Sequence, residues 1–149
     1  MLRVIAGIIV GWIVMAVGVM AVFALTMMVL GLEGTLQPDS YWTTDTFNII
    51  VLVGGFIAAI VGGLVCGLIA RNRKAAFGLA VVLLAMGIGG AVMNMNKPDP
   101  PARSGPVTLQ EIATHGKEPT WFAFSKVAVA AIGVLIGSQL VKKRTAAAR

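Results

Sequence analysis

The charges in this chain leave four long apolar runs. The first extends over residues 4–32, between Arg3 and Glu33. The second, 47–70, reads FNIIVLVGGFIAAIVGGLVCGLIA. The third covers 75–93 and the fourth 121–141, and only the fourth holds a charged residue, Lys126. About 20 apolar residues, each rising about 1.5 Å, cross a hydrocarbon layer about 30 Å thick. Each run therefore predicts a membrane-spanning helix. The first is longer than a bilayer needs, so it must tilt, or its last turns near Thr26–Leu32 must stand clear of the hydrocarbon. It also exceeds the roughly 7–15 apolar residues of a signal peptide and shows no A-x-A-like site before Glu33. It is expected to stay attached as a span.

The connectors are polar. Residues 33–46 contain the breakers Gly34 and Pro38, and Tyr41 and Trp42 fall where an aromatic belt would lie. Only residues 71–74, RNRK, separate the second and third runs, and so short a connection sends the next helix back alongside. In residues 94–120, the part KPDPPARSGP is too rich in proline for regular structure. Thr108-Leu109-Gln110-Glu111 then matches a capping box, Gly116 supplies a stop, and Leu109 and Ile112 share a face. The tail 142–149 is expected to fray beyond Arg144. The pattern predicts one all-α domain over 1–149, an antiparallel four-helix transmembrane bundle. A short amphipathic helix is expected in its second outer loop.

Small residues suggest how the spans meet. Lipid tails give apolar helices no reason to associate, so helices meet where small side chains let backbones approach. The second run carries two adjacent ridges at four-residue spacing. One is Gly54, Ala58, Gly62, Cys66 and Ala70; the other is Gly55, Ala59, Gly63 and Gly67. This run is expected to be the hub. Gly7-x-x-x-Gly11 and Gly133-x-x-x-Gly137 lie near the basic ends of their spans. They are expected to join spans one and four, or to contact another subunit. In the third run, Ala85, Gly87, Gly89, Gly90 and Ala91 fall at the depth of Gly54 and Gly55, which predicts close contact between spans two and three. Cys66 is the one cysteine, so no intramolecular disulfide forms, and it reads as a small packing residue.

Composition agrees with the pattern. The chain is 58% hydrophobic and 12% charged, with mean hydropathy +0.90, where a soluble domain has about a quarter of its residues charged. The net charge of +6 is not a nucleic-acid footprint, because of where it sits. With four spans, one side carries Arg3, Arg71, Arg73, Lys74, Lys142, Lys143, Arg144 and Arg149. The other carries all six acids, Glu33, Asp39, Asp45, Asp99, Glu111 and Glu118. Basic residues mark the cytoplasmic side, so both termini and the short basic turn are expected there. Arg71, Arg73, Lys74, Lys142, Lys143 and Arg144 read as topology signals and anchors on anionic lipid.

Candidate chemistry is sparse. A charge inside a span suggests function, but Lys126 lies only several ångströms below the outer interface, within reach of its own stem. Snorkelling, or pairing with Glu33, Asp45 or Glu118, is the expected role, with a functional charge as the alternative. Met27, Met28, Met93, Met95 and His115 gather towards the outer side, and such ligands suit Cu(I). No Met-x-x-Met array or second histidine accompanies them, and methionine is a routine gap filler. His115 alone cannot build a zinc site. Ser104, Ser125 and Ser138 lack a nucleophile context, and there is no phosphate loop or dinucleotide fingerprint. Asn48, Asn94, Ser138 and Gln139 are expected to bond to neighbouring helices or headgroups, and Trp12 to pack. No catalytic residue, metal site or cofactor is assigned.

The four-run layout, the glycine-laddered second run, the basic turn and the Glu118-Pro119-Thr120-Trp121 approach resemble small bacterial four-span inner-membrane proteins of unassigned activity. The resemblance implies a bacterial inner-membrane location and no particular reaction. Small multidrug exporters depend on an acid in the first span, and Val4–Leu32 has none. Thiol-oxidising four-span proteins need cysteine pairs, and the glycine–arginine signatures of fluoride channels are missing. The function expected is that of a non-enzymatic accessory or assembly subunit. It would act through helix packing with itself or with another membrane protein. The alternative is a small homo-oligomeric transporter or channel using Lys126, Asn48 and Asn94.

Overall fold

The computed structural model describes residues 2–103 and 105–147, with the side chains of Arg73 and of residues 142–147 outside that description. Five helices form: α1 (Leu2–Gly34), α2 (Asp45–Ala70), α3 (Arg73–Met95), α4 (Leu109–His115) and α5 (Thr120–Ala147). Four of them, α1, α2, α3 and α5, are long and apolar enough to cross a membrane. The excess length of α1 ends in a break at Gly31, whose φ of 69° and ψ of 167° are non-helical. A residue with a Cβ would be strained there. The break turns Leu32 into the connector that follows. At the other terminus, α5 does not stop near Arg144 but continues through Ala147. Ala146 and Ala147 are strong helix formers, which suits that extension.

Caps fix the connections. The Thr44 hydroxyl accepts from the Phe47 N–H and opens α2. At the far end Arg71 is left-handed, with φ 51°, and its N–H donates to the Gly67 carbonyl. Asn72 accepts from the Lys74 N–H and starts α3 at once, so the connection is two residues long.

The two ridges of α2 serve two different helices. Along the first, Ala70 and Cys66 meet Gly7, Cys66 and Gly62 meet Gly11, Ala58 meets Gly18, and Gly54 meets Val22, all on α1. Along the second, Ala59 meets Gly133, Gly63 meets Val134, and Gly67 meets Ser138 and Val141, all on α5. Residue numbers run in opposite senses across the α1–α2 contact and rise together across the α2–α5 contact. The buried core contains Ala59, Cys66, Leu79, Leu83 and Val134, with Ile8, Met15 and Ala130 packed on it.

This pairing corrects two expectations. Gly7 and Gly11 do not face Gly133 and Gly137; both pairs are seated on α2, with Gly137 against Ile60 and Leu64. Nor does the glycine-rich half of α3 pack on α2. Gly87 faces Val127 of α5, while Gly89, Gly90 and the hub residue Gly55 have nothing within 4 Å of an added Cβ. Both ridges of α2 are already occupied, so α3 packs mainly on α5. It reaches α1 nearer the basic turn, where Gly78 meets Ile8 and Leu79 meets Gly11.

A Cβ at Gly63 would overlap the backbone of Val134, and one at Gly137 the backbone of Ile60. Backbone cannot rotate away, so Gly63→Ala and Gly137→Ala are expected to force α2 and α5 apart. Each should cost about 1–3 kcal/mol or more. Gly55→Ala and Gly89→Ala should cost nothing measurable. Equilibrium unfolding in mixed micelles distinguishes the pairs, and equal losses across all four would contradict this packing.

Candidate functional site

At the end of the bundle away from the Arg71–Asn72 turn, residues 33–46 and 94–120 fold on each other as a cap. The Gln37 N–H donates to the Trp42 carbonyl at 2.8 Å and the Thr44 N–H to the Thr35 carbonyl at 2.9 Å, closing a small hairpin. Lys117 joins its edge: its N–H donates to the Tyr41 carbonyl, and its carbonyl accepts from the Thr43 N–H. Leu36, Tyr41 and Val107 are buried together, with Leu32 and Ile112 against them. Tyr41 is therefore part of a loop core and not of an aromatic belt. The Lys117 ammonium is 2.9 Å from Asp99 Oδ1 and 2.9 Å from the Lys97 carbonyl, and 5.1 Å from the Trp42 ring centre. No local pattern signals this contact, because the partners of Lys117 are Tyr41 and Thr43 in the other connector and Lys97 and Asp99, 20 and 18 residues earlier in its own.

The short helix α4 hangs from the cap. The Thr108 N–H and hydroxyl both donate to the Glu111 carboxylate at 3.0 Å, and the hydroxyl accepts from the Glu111 N–H. Those Thr108 bonds, helped by His115, hold the Glu111 carboxyl below its ordinary range. The His115 ring lies 5.5 Å from the Tyr41 ring.

Lys126 sits six residues into α5, about 9 Å from its start. Its ammonium pairs with the Glu118 carboxylate and lies 5.4 Å from the Phe122 ring centre. Glu118 is held in turn by Asn94 at the end of α3. Asn94 Nδ2 donates to the Glu118 carbonyl at 2.9 Å, and the Glu118 N–H donates to Asn94 Oδ1 at 3.3 Å. Below this cluster lies a half-open cavity of about 310 Å³. All four long helices line it, with Trp12 and Met15 from α1, Gly55 from α2, Met86 from α3 and Val127 from α5. Lys126 is the one charged residue among its described lining residues. Gly55 lacks a neighbour because it faces this space.

No family model, curated protein or solved structure matches the chain. The chemistry must therefore be read from the side chains themselves. The cavity offers apolar walls and one ammonium at its rim, which suits holding an apolar body beside an anionic group. A second, smaller cavity of about 210 Å³ lies under the cap between Phe23, Met27 and Phe47, beside the buried Thr43 hydroxyl, which has no partner among the described residues. Asn48 is wholly buried, and its amide has no partner among the described residues. Ser138 donates to the Leu135 carbonyl of its own helix. Met28, Met93 and Met95 are exposed, Met27 lines the smaller cavity and His115 rests on Tyr41, so the structure gathers no sulfur–imidazole ligand set from them. Arg71 and Lys74 are exposed at the basic turn. The side chains of Arg73, Lys142, Lys143 and Arg144, and all of Ser104, lie outside the described residues.

Two outcomes test the cap. Lys117→Met removes the ammonium that ties residues 97–99 under Trp42. Trypsin cleavage after Arg103 should then accelerate, while Asp99→Asn, whose carboxylate is mostly exposed, should accelerate it less. For Glu111 the folded-state pKa is depressed, so its stabilisation of α4 is present above the unfolded value of about 4.3. It is lost as pH falls through the folded value. Hydrogen exchange at residues 109–115, corrected for the intrinsic rate, should stay level from neutral pH to about 5 and rise below about 4.3. The Thr108→Ala chain should lack that acid step.

Proposed function

We propose that this protein is a non-enzymatic integral membrane subunit, with its four spans arranged as an antiparallel bundle and α4 as an amphipathic helix at its surface. In this reading it resides in a bacterial inner membrane with both termini cytoplasmic, and it acts by packing against another copy of itself or another membrane protein. The observation that supports assembly most directly is the uncovered half of α3. Leu84, Ala85 and Ile88 are exposed, and Gly89 and Gly90 have open space before them. The ridges on α2, by contrast, are taken up by α1 and α5 except at Gly55, which faces the cavity. Ala85 and Gly89 stand four residues apart, so they share a face on which a second helix can approach closely.

A second reading, a small homo-oligomeric transporter, draws on the cavity shared by all four helices. Its walls are apolar and Asn94 is committed to Glu118, which favours an amphiphile over a hydrated ion as cargo.

The proposal is tested by native mass measurement in mild detergent, with Ala85→Leu/Gly89→Leu as the disrupting variant. A stable complex in the parent chain, lost in the double variant while the monomer keeps its helicity, is the expected result. A parent chain that stays monomeric and partnerless in gently extracted membranes would refute it.

A further inference from the structure

We infer that the larger cavity, below Lys126, is a binding site for part of one acyl chain of an anionic phospholipid, with Lys126 as the contact for its phosphate. This goes beyond the assembly reading and does not depend on it. Three observations carry the inference. The first is position. The cavity is bounded by membrane-spanning helices, and Lys126 is only about 9 Å from the start of α5, where headgroups and chains meet. The second is access. The cavity is half open, and two of its lining residues, Trp12 on α1 and Met86 on α3, are exposed on the surface of the bundle. A chain already in the bilayer can enter sideways. The third is chemistry. The walls are apolar and about 310 Å³ is at the small end of ligand sites, room for part of one chain.

The ammonium has donors to spare. Lysine carries three N–H groups; the Glu118 bond uses one, and the side chain remains 43% exposed. A phosphate oxygen beside it adds a second anion to the same cation. Glu118 therefore competes with the lipid, and its removal should strengthen lipid binding. The basic residues of the opposite end also attract anionic lipid, so the cavity must be tested by difference.

Native mass spectrometry from mild detergent measures the retained lipid, with phosphatidylglycerol and phosphatidylcholine of identical chains as probes. The parent chain should retain one phosphatidylglycerol more than a chain with the cavity blocked. Lys126→Leu should reduce that retention about fivefold and leave phosphatidylcholine unchanged. Gly55→Leu fills the cavity from a position with no neighbour within 4 Å, so it should fold and should abolish retention of the extra lipid. Glu118→Gln should increase phosphatidylglycerol retention. Retention unchanged in both Lys126→Leu and Gly55→Leu would overturn the site. Displacement of phosphatidylglycerol by equimolar oleate would overturn the phospholipid as its source.

Discussion

Helices in hydrocarbon gain nothing from hiding apolar surface, so their arrangement is decided by which backbones can come close. In this chain that decision is made on α2. Its two ridges are offset by one residue, which places them about 100° apart around the helix. α1 takes one ridge and α5 the other. Two helices seated about 100° apart on a third, each about 8–10 Å from its axis, stand roughly 14 Å from one another. That is too far for packing, and among the described residues α1 and α5 make no substantial contact. The space between them is what α3 must fill. It does so near the basic turn, with Leu79 and Leu83 buried in the core.

The cap follows from the same geometry. Because contact numbers rise together along α2 and α5, the segments that precede these helices arrive at the same end of the bundle, side by side. The pairing of Trp42 with Lys117 joins positions three residues ahead of Asp45 and three ahead of Thr120. Glycine ridges inside the membrane thus deliver equivalent upstream residues into register outside it. Once there, backbone donors find carbonyl partners, and the buried Leu36, Tyr41 and Val107 exclude water from them.

What could be read from the sequence divides along the line between local and tertiary information. Membrane-crossing length is a property of a single run, and the four apolar runs became α1, α2, α3 and α5. The capping box at Thr108 depends on four consecutive residues, and it formed. The ridges of α2 were visible too, but a small-residue ridge carries no address: it says that some backbone can come close, not which one. The pairs Gly7–Gly11 and Gly133–Gly137 are thus equally compatible, in sequence, with each other or with another subunit, while both are seated on α2. The break at Gly31 had no signal either, since glycine also sits within helices elsewhere in the chain. The cluster around Lys126 was half legible. Its charge and depth were plain, and Glu118 was one of three candidate partners, but the cavity beneath it depends on where four helices fail to meet.

That failure has one cause. Near the cap Gly87 seats α3 against Val127 of α5, and the residues α3 turns to the hollow are Leu83, Met86 and Gly87, which do not fill the gap that the angle between the α2 ridges creates. The result is a hollow on the inner side of α3 and an uncovered surface on its outer side. A cation at the rim of that hollow would be costly if it stood alone in hydrocarbon. Glu118 neutralises it, and Asn94 holds Glu118 in place from the end of the same α3 that leaves the hollow open. The hollow and the Lys126–Glu118–Asn94 chain are therefore parts of one arrangement. A larger side chain at Gly55 of α2, the open position on its wall, would close the hollow and leave the ion pair with nothing to face.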